Sequence, residues 1–190
     1  MRIWFALAAL AAMGTFSQPA FADMTIKSQD GSLELALPNG WHEGKAQGRL
    51  AKLVAVDGKG SRVVVRTLPK EDFKDAAAVA NFALAKLKLT DSEAAKTEDA
   101  QVGGKPALRM SVMGTQSTGL REGIVVTVFE ADGMYIEITA STDAAGFTKQ
   151  APVLAGFANQ LKITPTAPTA TPTPTPTPTN TPPGKQPPKG

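Results

Sequence analysis

An α+β fold with an antiparallel sheet covered by helices is predicted for this 190-residue chain. Three observations lead to it. Most of the apolar text comes as consecutive strand-like pairs joined by glycine-bearing turns, which means antiparallel pairing. Two segments switch to a helical period, and helices of that kind cover sheet faces. Between the two ends of the chain lie about 140 residues without a cysteine, a length that folds as one domain.

The N-terminus reads as an export signal. Arg2 gives a positive start, Ile3 to Met13 is apolar, and Pro19 precedes Ala20-Phe21-Ala22, a small-x-small cleavage site. The apolar run is too short to span a bilayer. Residues 1–22 are therefore expected to be a signal peptide cut between Ala22 and Asp23, delivering the protein to the periplasm or the exterior. Without cysteine there is neither a lipobox nor a disulfide framework, and a domain of this size folds on its apolar core alone. No Asn-x-Ser/Thr acceptor follows the cut, in keeping with prokaryotic export, and no second apolar stretch has spanning length.

The domain, residues 23–163, opens with Met24–Gln29 and Leu33–Pro38 around Asp30-Gly31, a hairpin signal. Leu33, Leu35 and Leu37 alternate toward one face. Lys52–Val56 and Arg62–Leu68 form a second pair around Asp57-Gly58-Lys59-Gly60. From Asp72 to Leu89 the period becomes helical, with Phe73, Ala76, Val79, Ala80, Ala83, Leu84 and Leu87 on one alanine-rich face. Phe82 and Leu89 fall off it. A polar connector, Thr90–Asp99, leads to Ala100–Val102 and Pro106–Met113 around Gly103-Gly104-Lys105, then to Gly123–Glu130 and Met134–Ser141 around Ala131-Asp132-Gly133. Asp143 is placed to cap a last helix whose stripe is Phe147, Leu154, Phe157, Ala158 and Leu161. Pro152 must start that helix or kink it. Residues 164–190 are a Pro/Thr-rich segment that buries no core and favours extended polyproline II, with a reach on the order of 80 Å. A passive terminus, a spacer toward envelope structures and a ligand for a polyproline-binding partner are all open readings of it.

Charge and residue inventory exclude much chemistry. The pI of about 9.2 comes from the ends. Once Arg2, Lys185 and Lys189 are set aside, 17 basic residues face 17 acidic ones, so the domain has no electrostatic footprint for nucleic acid. His42 is the only histidine. No multi-histidine zinc site and no thiolate site can be built, and no serine sits in a nucleophile elbow. Gly58-Lys59-Gly60-Ser61 and Gly103-Gly104-Lys105 lack Walker spacing. Asp57 and Asp132 read as turn residues rather than calcium ligands. Glu130 and Glu137, on neighbouring strands, are expected to be solvent-facing charges, with acid/base work the lesser alternative. No catalytic residue, metal or cofactor is assigned. The contact candidates are Trp41 and His42, and Trp41 is expected to bury its ring.

Leu35-Ala-Leu-Pro-Asn-Gly-Trp41 and Val102-Gly-Gly-Lys-Pro-Ala107, with the element order above, resemble the PsbP-like domains, most of all the bacterial DcrB-like envelope proteins. The resemblance implies an α-β-α sandwich and a non-enzymatic role as accessory subunit, binding module or, in some branches, cytoplasmic adaptor; the export signal departs from the last. The expected function is an exported binding or accessory protein acting through contact with another envelope protein. A small-molecule or lipid carrier with a cleft between sheet and helix is the alternative, followed by a carboxylate-dependent enzyme.

Overall fold

The computed structural model describes residues 21–46, 48 and 50–164; the expected signal peptide through residue 20 and the Pro/Thr segment from 165 lie outside the described residues. The strands are β1 (Phe21–Lys27), β2 (Leu33–Pro38), β3 (His42–Glu43), β4 (Ala51–Val56) and β5 (Arg62–Pro69), followed by a 3-10 turn, Lys70–Asp72, and helix α1 (Ala76–Leu87). Then come β6 (Lys96–Val102), β7 (Lys105–Thr115), β8 (Arg121–Ala131), β9 (Met134–Asp143), helix α2 (Ala144–Gln160) and β10 (Leu161–Ile163). Strand β1 straddles the expected cut between Ala22 and Asp23: Phe21 pairs with Pro38 ahead of it, and after a register shift Met24 to Lys27 pair with β2 beyond it.

Two antiparallel sheets form, one in the order β1-β2-β10 and one in the order β3-β4-β5-β9-β8-β7-β6. The seven-stranded sheet is the middle layer. Helix α1 packs on one face against β7, β8 and β9, burying Val79, Ala80 and Ala83 as the alanine-rich face requires. The opposite layer is mixed, which modifies the simple α-β-α expectation. Seven strands at about 4.8 Å spacing make a face about 30 Å wide, and one helix about 10 Å across covers a third of it. Helix α2 covers β8 and β9, and the small sheet covers the rest by laying Leu33, Leu35 and Leu37 on Leu53, Ala55, Val63 and Val65. The large sheet thus separates two apolar cores.

Several elements depart from the sequence expectation. Helix α1 starts at Ala76, because Asp75 accepts a hydrogen bond from Ala78 N at 2.8 Å and fixes the N-terminus there. Leu161 leaves the helical stripe to join β10, pairing with Leu35. Lys96–Asp99, part of the expected connector, belongs to β6. This strand ends the sheet, and main-chain pairing at an exposed edge needs no apolar alternation. Pro152 lies inside α2 rather than at its start. The two residues without a sequence account now have one. Phe82 meets the edge of Phe73 at 5.3 Å with Lys86 Nζ above it, and Leu89 lies over Gly114, where an added Cβ would stand 3.1 Å away.

Candidate functional site

The sequence-derived contact candidates part company in the structure. Pro38 to Trp41 is a tight turn closed by Trp41 N donating to Pro38 O at 3.1 Å, and Gly40 at φ +85° supplies the left-handed residue it needs. The turn drives the Trp41 indole inward, leaving it 8 % exposed with its edge against Phe157 at 4.7 Å. His42, the next residue, is exposed in β3 opposite Val56, its ring beside the turn at Gly58.

Charged groups are set in three environments. Glu137 is not solvent-facing, as the sequence suggested, but 1 % exposed. It accepts from Arg66, its cross-strand partner, at 2.6 Å and from the Thr139 hydroxyl. Breaking such a pair costs about 3–5 kcal/mol because a buried charge is left behind, so the pair reads as structural. Asp30, in the β1–β2 turn, accepts from the Ser28 and Ser32 hydroxyls at 2.6 Å each and from Lys52 at 2.9 Å. These bonds hold its carboxyl far below the ordinary range and tie the small sheet to β4 of the large one. Glu122 goes the other way. Burial raises its carboxyl above the ordinary range despite bonds from Gln116, at 2.6 Å, and Ser141 and the nearby Arg62 charge. It is the carboxylate best suited physically to acid/base work, and no sequence signal marked it, since its burial comes from strand placement alone.

Two open grooves of similar size lie on the surface, one of about 680 Å³ beside the β1–β2 turn, lined by Lys27, Asp30, Glu43 and Lys52, and one of about 670 Å³ at a corner of the large sheet, between the first turn of α1 and strand β6. Register explains the make-up of the latter. Asp99, Leu108 and Val128 are successive cross-strand neighbours on β6, β7 and β8, so they share the α1 side of the sheet. Glu130 and Tyr135 form the next row on that side, and Asp132 stands in the β8–β9 turn. Glu130 is tied to Lys70 at 2.7 Å, which raises the lysine above its ordinary range. A smaller crevice of about 160 Å³ lies between the two sheets and ends at Thr164. Among the described residues no group of three His, Asp or Glu is placed to hold a metal ion.

No family model matches the sequence, and no curated protein matches it. Solved structures do. The cyanobacterial PsbP (CyanoP) of Synechocystis sp. PCC 6803 superposes with a TM-score of 0.56 at 15 % identity, over 82 % of this chain and 99 % of that one. LpqN of Mycobacterium tuberculosis, involved in cell envelope biogenesis, gives 0.54 at 16 % identity, over 75 % and 90 %. A Bacteroides thetaiotaomicron protein gives 0.51 at 12 %, over 74 % of this chain and 48 % of that one. At these identities the likeness concerns the fold, and the fold is PsbP-like.

Proposed function

We propose that this is an exported, non-catalytic accessory protein of the bacterial envelope that works by contact with another envelope protein. The observation that carries the reading is the distribution of space. Of the two helix-covered faces where a carrier would keep its ligand, the α2 side is filled by Trp41, Leu154 and Phe157, each 8 % exposed or less. The crevice between the sheets, about 160 Å³, is below the roughly 300–1,000 Å³ of small-molecule sites. The grooves of about 670 and 680 Å³ have the volume of small-molecule sites, but both are open at the surface, in the manner of contact sites. The export signal in the sequence and the envelope-biogenesis role of LpqN support the location. No helix among the described residues is long and apolar enough to cross a membrane.

His42 is exposed and makes no hydrogen bond or ion pair with another described side chain, so it has no nucleophile to activate. Native mass spectrometry of protein freshly purified after export tests the reading. The mass of the polypeptide, alone or with a partner protein, is expected. A retained small-molecule or lipid mass would replace the contact reading with the carrier.

A further inference from the structure

We propose that the groove beside β6 is a docking site for an extended, basic segment of the partner protein. The segment adds to the free edge of β6 and sets basic side chains against Asp99 and Asp132. The inference rests on the contact reading above and names the chemistry that the partner must present.

Four observations lead there. First, β6 pairs only with β7 and ends the seven-stranded sheet, so its outer main-chain donors and acceptors face no described strand. An added strand would satisfy them. Second, the groove borders that edge on the α1 side. Helix α1 begins at Ala76 and stops short of the corner, leaving Pro106 and Leu108 as apolar floor.

Third, Tyr135 is 6 % exposed and lines the groove, yet its hydroxyl makes no hydrogen bond with any described residue. The hydroxyl is not sealed from solvent but opens into the groove, so a carbonyl of an occupant can take the place of water there. Fourth, the rim is acidic where it is free. Glu130 is held by Lys70, whereas Asp99 and Asp132 are exposed and in no ion pair among the described residues. Lys105 is the one base lining the groove. Asp99 is level with Val128, and Asp132 stands four residues further along, so the two carboxylates mark opposite ends of the groove and face different residues of an added strand. Opposite charges across neighbouring strands stabilise pairing and like charges oppose it, so Asp99, the free charge that β6 turns toward the groove, selects a basic residue opposite it, while Lys96 lies on the other face.

The test uses full-length exported protein and a blocked, fluorescein-labelled hexapeptide alternating lysine with valine. A counterpart alternating glutamate with valine is the control. Amide chemical shifts and anisotropy are followed at low and physiological salt. The lysine peptide is expected to perturb β6, Tyr135 and the β8–β9 turn, and to bind at least about tenfold more tightly than the glutamate peptide. Binding should weaken with salt. The double substitution Asp99→Asn with Asp132→Asn is expected to remove about tenfold in affinity at an unchanged melting temperature. Tyr135→Phe should weaken binding without altering the charge preference. Equal binding of the two peptides, or shift changes away from β6, would overturn the site. If the groove ignores the lysine peptide while the protein still co-purifies with a partner, the site is wrong and the contact reading survives. A retained small-molecule mass would instead remove the contact reading itself.

Discussion

Trp41 and Asp30 show how single residues join layers. The indole edge of Trp41 meets Phe157 of α2, so the residue closing the β2 turn also anchors the helix above the large sheet. Trp41→Ala is expected to lower stability by about 3–5 kcal/mol, the usual cost of deleting a buried aromatic, read as a lower urea midpoint. An unchanged midpoint would make the ring a contact residue instead. Asp30 joins the small sheet to β4 through Lys52, with Ser28 and Ser32 completing the set. Its folded-state pKa lies below the ordinary 3.8, so its stabilisation is present above that value and is lost as pH falls toward the folded value. Because the carboxylate is 43 % exposed, the effect is about 1 kcal/mol or less. The wild type is expected to melt above Asp30→Asn at pH 7, with the gap closing below about pH 4. A gap unchanged at pH 2.5 would show that the charge of Asp30 is not what matters.

At the level of elements, α2 is seated by a missing side chain. A Cβ on Gly123 of β8 would stand 2.0 Å from Phe147 Cγ, so the ring lies directly on the strand backbone. Asp143 fixes the start of the same helix by accepting from Gly146 N at 2.6 Å. Gly123→Ala is expected to cost about 1–3 kcal/mol by overpacking, measured by urea denaturation, with the strand content unchanged by circular dichroism. A neutral result would mean that Phe147 turns away freely. Where local chemistry decides, the elements were legible in the sequence: the Asp-Gly turns, the alternation of Leu33, Leu35 and Leu37, the alanine face of α1 and the cap at Asp143. β10 was not, because Leu161 continues a helical stripe and only its pairing with Leu35 reveals a strand. The start of β6 was hidden because Lys96 to Asp99 bury no side chain. The groove was hidden for a related reason. Its residues come from α1, β6, β7, β8 and β9, and in the sequence Asp132 reads only as a turn residue.

For the molecule as a whole, the design is a closed interior with an uneven surface. Two cores fill both sides of the large sheet, and a groove lies open at the corner that α1 leaves uncovered. The PsbP-like fold sets this arrangement but not its use, since a fold hosts many functions. What separates contact from catalysis here is whether any single titratable group is indispensable. His42 is the sole histidine, and Glu122 is the carboxylate that burial has moved toward acid/base range. The most direct measurement is rescue of a gene-deletion phenotype by His42→Ala and by Glu122→Gln, with folding checked by thermal melts and the partner followed by crosslinking in the native envelope. Both variants are expected to restore function fully and to keep the crosslink. Loss of rescue by a stably folded Glu122→Gln that still crosslinks its partner would contradict the contact account and put an enzyme in its place.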